Sequence, residues 1–415
     1  MVDGKTKSAA REICDWLVEQ GLNGIPPDEL VDGLCCKLNT VGVKIKRMHL
    51  GYKALHPEYG AMGFEWHNGQ GVTSRERYQR SVAPHERWAV SPFYYLLSEG
   101  VGEYRQRLST ATKPHQFPVL DEFADDGATD YLAVALSFKS DALVVGADPN
   151  NPPEGLTASW TSDAPGGWSE DDLAVLRGLI PSFALALKSI ANEHMAHDVL
   201  ATYLGRDAGE RVLSGAIQRG SVITINAVIC CFDLQGFTKI SETQSGKEVI
   251  DMLNDFFEAV VGIVESHHGN VLKFMGDGLL AIFSNELRVS ACRSAAAAAR
   301  DIQVAVHRVA ARRLAEGRAS ARFTLALHAG EVMYGNIGGD SRLDFTVIGP
   351  AVNATARILS LCRNLDESIL ISATVAEPLY SEGKDLVPVG RYKLRGIGTP
   401  IELFTTVTQT PAKSV

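Results

Sequence analysis

No stretch of this sequence approaches the roughly 18 consecutive apolar residues that a membrane span needs. Runs such as Tyr131 to Leu136 and Ala227 to Phe232 have the length of buried strands instead. The opening MVDGKTKSAA has no apolar core after its lysines, so no secretory signal is expected. A long basic run is also missing, and the formal net charge is −9. That balance argues against nucleic acid or an anionic membrane as the main partner, while leaving room for a local phosphate pocket. The seven cysteines (Cys14, Cys35, Cys36, Cys230, Cys231, Cys292 and Cys362) are odd in number and show no C-x-x-C spacing. They read as reduced thiols rather than as a disulfide frame or a zinc site. Gly246-Lys247 has neither the upstream glycine nor the following Ser/Thr of a phosphate-binding P-loop. These absences lead us to expect a cytoplasmic protein with no membrane and no nucleic-acid partner.

What remains is an ordinary globular composition, 45% apolar and 21% charged. A chain of 415 residues implies two domains and a connector. We expect boundaries at 1–190 for a regulatory domain, 191–220 for a helical connector, 221–408 for a catalytic domain and 409–415 for a tail. In the first part, Arg11 to Gln20 is amphipathic and predicts a helix stopping at Gly21. Pro26-Pro27-Asp28 can start the next helix, since proline suits a first turn. Tyr131 to Phe138 and Asp141 to Val145 read as strands. Asp148 to Gly167 reads as a loop broken by a short strand at Leu156 to Trp160. Ser169, with an acid three residues on, caps a helix that continues past Pro181 to about Leu204. Such a helix either pairs with a second copy as a signalling connector or packs on its own domain, and the sequence leaves both open.

In the second part, Ile223 to Phe232 is rich in β-formers. Glu248 to His267 carries Val249, Ile250, Leu253, Phe256, Phe257 and Val260 at helical spacing. Asn270 to Phe274 and Leu279 to Phe283 flank the tight turn Met275-Gly276-Asp277-Gly278, a hairpin signal. A helix over Leu287 to Glu316 follows. Strands are expected at Arg322 to His328, Glu331 to Asn336 and Phe345 to Val347, with a helix from about Pro350. This alternation predicts an α+β fold, helices packed on a largely antiparallel sheet.

Two carboxylates carry the chemical signal. Asp233 ends an apolar strand before the turn Leu234-Gln235-Gly236-Phe237-Thr238, whose glycine allows backbone N–H groups close to a phosphate. Asp277 sits at the hairpin tip. On neighbouring strand ends the two acids can share divalent cations through oxygen ligands. A turn aspartate alone usually does nothing, so the surrounding motifs decide. Phe232-Asp233-Leu234-Gln235-Gly236-Phe237-Thr238 and Lys273-Phe274-Met275-Gly276-Asp277 resemble the two metal-binding segments of class III adenylate and guanylate cyclases. His328-Ala329-Gly330-Glu331-Val332 resembles the strand pair that follows in that family. Phe345-Thr346-Val347-Ile348-Gly349 with Val352-Asn353-Ala354-Thr355-Ala356-Arg357 resembles its final block.

The resemblance implies a catalytic domain with a ferredoxin-like βαββαβ core that converts ATP to 3′,5′-cyclic AMP and pyrophosphate. It implies two Mg²⁺ or Mn²⁺ ions per active site, held by Asp233, Asp277 and the Leu234 carbonyl. Backbone groups of Gly236, Phe237 and Thr238 would cradle the phosphates. Asn353 would position the ribose, and Arg357 would stabilise charge on the α-phosphate. Lys273 and Thr346 would read the base. Lysine donates and the threonine hydroxyl accepts, which fits adenine, whereas guanine suits a Glu at the lysine position. Thr346 stands where many relatives have Asp, as in the threonine-containing bacterial subgroup. In the family the metal aspartates and the Lys/Thr/Asn/Arg set of one site come from opposite subunits, which implies a homodimer with active sites at the interface. Arg342 and Arg395 are further phosphate-contact candidates. The competing readings are a guanylate cyclase and a catalytically silent module that binds ligand or dimerises.

Gly338-Gly339-Asp340 superficially resembles the diguanylate cyclase signature, but Ser341-Arg342 breaks it. His267-His268 at a helix end is read as complementing the helix dipole rather than binding metal. Residues 1–190 look somewhat like a mixed α/β GAF-type sensor, with an unknown small-molecule or protein input. Trp88, Phe93, Tyr94 and Tyr95 can line a pocket or fill a core.

Overall fold

The computed structural model describes residues 4–56, 58–80, 86–109, 111, 113–138, 148–149, 154–284, 287–380 and 386–406. The strand expected over Asp141 to Val145 and the tail 409–415 lie outside the described residues. The chain divides into two compact units, Met1–Val199 and Leu200–Val415.

Unit 1 opens with helices α1 (Gly4–Asn23) and α2 (Pro27–Thr40), followed by strands β1 (Arg47–Lys53), β2 (Tyr59–His67) and β3 (Gly71–Gln79). Helices α3 (Glu86–Ala89) and α4 (Pro92–Glu99), strand β4 (Glu103–Arg107) and helix α5 (Pro118–Asp125) come next. Strands β5 (Asp130–Ser137) and β6 (Gly155–Ser162) then lead to the long helix α6 (Glu170–Leu204). The six strands form one sheet in the order β3-β2-β1-β6-β5-β4, with every neighbouring pair antiparallel. Leu17, Leu34, Met48, Trp66, Trp160, Leu176 and Phe183 form the core where α1, α2 and α6 pack on one face.

The expected helix stop at Gly21 is absent, because α1 runs on to Asn23. Gly21 serves packing instead: a Cβ there would lie 2.7 Å from Ala186 Cα of α6. The tight contact offsets the roughly 1 kcal/mol that an internal glycine costs a helix. The cap of α6 is as expected, with Ser169 Oγ accepting from the Asp172 N–H at 3.2 Å and the Asp172 carboxylate accepting from the Ser169 N–H at 2.9 Å. The helix passes Pro181, and its buried positions run from Leu173 to Ala191. That length packs on its own unit, while no residue from Asn192 to Leu204 is buried. By length and composition alone α6 is apolar enough to cross a membrane, and half of its apolar window is buried in the fold.

The opposite sheet face is covered by α4 and α5 through Leu96, Leu120, Tyr131 and Ala133. The aromatic cluster packs here: Tyr95 lies edge-on to Tyr104, Trp88 edge-on to Tyr94, and Phe93 sits 5.5 Å from the His49 ring. His49 Nδ1 is buried with no hydrogen-bond partner among the described residues. Burial, aided by the nearby Arg47 charge, pulls this imidazole down to about 4. The unfolded chain protonates the same group near 6.5. Stability contributed by neutral His49 is therefore complete above about pH 6.5 and is lost as the pH falls towards 4. All five tryptophans (Trp16, Trp66, Trp88, Trp160 and Trp168) lie in unit 1, so indole fluorescence reports its melting selectively. We expect the fluorescence-detected Tm to drop across this window by several degrees more in the wild type than in His49→Phe. Parallel pH profiles for the two proteins would assign the acid sensitivity to other groups.

Unit 2 begins with α7 (Arg206–Leu213) and strand β7 (Val222–Gln235), then helices α8 (Phe237–Thr243) and α9 (Gly246–Ser266). Strands β8 (Asn270–Met275) and β9 (Gly278–Phe283), helix α10 (Arg288–Ala315) and strands β10 (Arg322–Gly339) and β11 (Arg342–Ile348) follow. Helix α11 (Pro350–Leu365), strand β12 (Ile369–Ser372), helix α12 (Ala373–Tyr380) and strands β13 (Leu386–Tyr392) and β14 (Ile401–Thr406) complete it. The sheet runs β13-β14-β12-β10-β7-β9-β8, with β11 paired to β10. Among the described residues only the β10–β12 pairing of this sheet is parallel. The segment β7-α9-β8-β9-α10-β10, in spatial order β10-β7-β9-β8, is the βαββαβ core.

Central strand β7 explains its apolar run by being buried on both faces. Val228, Cys230, Phe232 and Leu234 face the α9–α10 layer, while Ala227, Ile229 and Cys231 face the other. Helix α9 buries Met252, Phe256, Val260 and Val264 at four-residue spacing, and its N-terminus carries a complete Ser245–Glu248 capping box. The two strands expected at Arg322 to His328 and Glu331 to Asn336 are one continuous strand, with Gly330 paired to Ala227. Gly330 marks a close approach rather than a break, since a Cβ there would come within 2.8 Å of Ala351 Cβ on α11.

Candidate active site

Asp233 lies inside β7, opposite Thr324 of β10 and Gly278 of β9. The strand does not end at Asp233 as expected but continues to Gln235, because pairing with Arg322 carries it two residues further. Gly236 then turns the chain with φ 79° into α8. Phe237 and Thr238 form the first turn of that helix, where backbone N–H groups lack intrahelical partners.

Asp277 reaches the same place from the β8–β9 hairpin. Met275 pairs with Gly278 across the two-residue turn, and Gly276 takes φ 67° at its first central position, as a II′ hairpin calls for. The Leu234 N–H donates to the Asp277 carbonyl at 3.2 Å, which ties the hairpin tip to β7. Gly278 permits that fit, since a Cβ there would lie 2.5 Å from the Phe232 carbonyl oxygen and 3.2 Å from Asp233 Oδ1. Burial and the nearby Asp277 charge push the Asp233 carboxyl up, against the opposing effect of Arg363.

This donor set fits a hard divalent cation. It offers carboxylate and carbonyl oxygens only, and the repulsion between Asp233 and Asp277 is the kind that a bound cation relieves. Among the described residues no cluster of three or more His, Cys, Asp or Glu side chains is placed to hold a metal. A cation held there would take its further ligands from substrate and water, as Mg²⁺ accepts.

Lys273 on β8 and Thr346 on β11 come from the two outer parts of the sheet. Lys273 Nζ pairs at 2.8 Å with Asp344, which lies two residues before Thr346 and so on the same face of β11. Thr346 Oγ1 is buried and has no hydrogen-bond partner among the described residues.

Asn353 and Arg357 lie one turn apart on α11, whose start at Pro350 follows the first-turn rule. The guanidinium of Arg357 packs against Gly396, where a Cβ would come within 3.3 Å of Nη1. Neither residue meets Asp233. The arginine that does is Arg363, with Nη2 2.5 Å from Asp233 Oδ2. Arg342 opens β11 and Arg395 follows β13; both are exposed. His267 pairs with Asp301 at 2.7 Å.

Sequence reading missed Arg363, Asp344 and the close-approach role of Gly278. Asp344 had a usable signal, being two residues from Thr346 on a strand. Arg363 had none, because its pairing with β7 depends on how α11 lies on the sheet.

Residues 223–407 match the family model described as the adenylate and guanylate cyclase catalytic domain, so unit 2 carries a domain of that family. Two uncharacterised proteins of Mycobacterium tuberculosis are 31% and 30% identical over 207 residues, covering 49% of this chain and 37% of each relative. The chain thus spans little more than a third of the length of these relatives. Similar solved structures include the adenylyl cyclase CyaB of P. aeruginosa, 21% identical with TM-score 0.42, covering 46% of this chain and 97% of that one. The guanylyl cyclase Cya2 is 26% identical with TM-score 0.40, covering 47% and 98%.

Proposed function

We propose that the protein is an adenylate cyclase, forming 3′,5′-cyclic AMP and pyrophosphate from ATP in a cytoplasmic homodimer. The observation that carries this reading is the joining of Asp233 and Asp277 at one point, in a domain of the cyclase family that also keeps Asn353 and Arg357. Asp233, Asp277 and the Leu234 carbonyl would hold two Mg²⁺ or Mn²⁺ ions. When bound, such ions acidify the ribose 3′-hydroxyl and neutralise the triphosphate. Gly236, Phe237 and Thr238 supply backbone donors to the phosphates. Asn353 orients the ribose, and Arg357 offers a planar fork to the α-phosphate as charge builds there.

The dimer is supported by the geometry of α11. Arg357 and Arg363 are six residues apart, hence about 9 Å along the helix and about 120° round it. With Arg363 on Asp233, the Asn353–Arg357 face of the same chain points elsewhere, which supports a second copy bringing that face to the metals. Unit 1, a six-stranded antiparallel sheet with helices on both faces, acts in this reading as a GAF-like sensor for a small molecule or protein. Its output would pass through α6, whose length beyond Ala191 holds no buried residue and offers exposed positions for pairing with a second copy.

Lys273 and Thr346 support ATP, because lysine has no acceptor for the N1–H of guanine. One observation favours GTP instead: Asp344, beside Lys273, supplies an acceptor. Comparing ATP and GTP turnover in the wild type and in Lys273→Glu separates the two. We expect the variant to lose ATP kcat/KM about a hundredfold or more and to gain relative GTP use. If the wild type prefers GTP, or Lys273→Glu leaves discrimination intact, the base is read otherwise.

A further inference from the structure

Among the described residues, the one cation that touches the candidate metal carboxylates is Arg363, in the last turn of α11. Its side chain is 56% exposed, against 23% for Asp233, so the pair is open to solvent and able to separate. A guanidinium this exposed is usually a solvated helix-end charge complementing the dipole. Here it does something more specific, because it occupies Oδ2, one of the two oxygens with which Asp233 can bind a cation.

We infer that Arg363 is a triphosphate-binding residue that holds Asp233 in the metal-free protein and exchanges that carboxylate for substrate phosphates once cations arrive. This rests on the proposed metal-dependent reaction on a nucleoside triphosphate. A divalent cation on Asp233 competes for the same oxygen and repels a guanidinium a few ångströms away. Released from Asp233, the long side chain keeps its anchor on α11, and a triphosphate held by the same cations offers it a new negative partner. A planar fork suits phosphate oxygens, and such charge-assisted bonds are among the stronger ones. Arg357 does not take this role within one chain, since it lies against Gly396.

The test uses the full chain and two binding measurements that need no turnover. Free Mn²⁺ is followed by electron paramagnetic resonance in nucleotide-free protein, and tripolyphosphate binding is followed by calorimetry with Mn²⁺ saturating. Arg363→Gln should bind Mn²⁺ several-fold more tightly, because a competing counter-ion is gone. It should bind tripolyphosphate about tenfold or more weakly, with Arg363→Lys in between. Unchanged far-UV circular dichroism in both variants checks the fold, and Arg363→Lys keeps the comparison alive if the glutamine variant folds poorly. If the wild type binds Mn²⁺ and either affinity is unmoved in the variants, the exchange is wrong while the proposed reaction stands. A wild type that binds no Mn²⁺ overturns both. A wild type that binds Mn²⁺ without turning over either nucleotide counts against the reaction alone.

Discussion

We expect Asp233→Ala and Asp277→Ala each to lower cyclic-nucleotide formation by about a thousandfold or more, with the fold retained. Each removes a charged oxygen from the carboxylate pair that β7 and the β8–β9 hairpin bring together. Losing a cation that stabilises transition-state charge by several kcal/mol corresponds to three or more factors of ten in rate. The fold should survive because the pair is strained rather than stabilising without metal. Burial and Asp277 push the Asp233 carboxyl up, so its ionised form is disfavoured in the folded chain. That penalty is fully present above the folded-state pKa and disappears as the pH falls below the unfolded value. At neutral pH, metal-free Asp233→Asn should accordingly melt no lower than wild type, and Mn²⁺ should raise the Tm of the wild type but not of the variant. Activity within a few-fold of wild type, with unchanged cation dependence, would remove the basis of the assignment.

Mixing two inactive chains restores turnover if the site is shared between subunits. One chain carries Asp233→Ala and the other Arg357→Ala. In a mixed dimer one site collects both defects, and the other receives an intact aspartate pair from one chain and an intact arginine from its partner. Random pairing of equal amounts gives about half mixed dimers with one good site in two, so about a quarter of wild-type activity is expected. Co-expression with two affinity tags avoids slow subunit exchange and isolates the mixed species. Isolated mixed dimers as inactive as their parents would show that the residues of one site come from one chain. So would a fully active monomer.

Much of unit 2 was legible because its signals are local. The β8–β9 hairpin follows from a two-residue turn with a left-handed glycine, and α9 follows from apolar residues at helical spacing behind a capping box. β7 was legible as a buried strand because it is covered on both faces. Two of the errors were at glycines, where one residue type serves opposite ends. Gly21 and Gly330 look like breaks but mark close approaches of α6 and α11, and only tertiary packing distinguishes the two. At the site, the residues within sequence motifs could be named, while their neighbours could not. Arg363 sits 130 residues from Asp233 in sequence, and Asp344 sits 71 from Lys273. In unit 1 the sheet order and the isolated His49 nitrogen depend on pairings that no local pattern encodes.

The most direct measurement is the product made by the purified full chain from ATP and from GTP, each with Mg²⁺ and with Mn²⁺, separated by chromatography. Cyclic AMP from ATP, dependent on the divalent cation and well above cyclic GMP from GTP, is the predicted result. Cyclic GMP as the main product would overturn the base assignment, and no cyclic nucleotide under any of the four conditions would contradict the account as a whole.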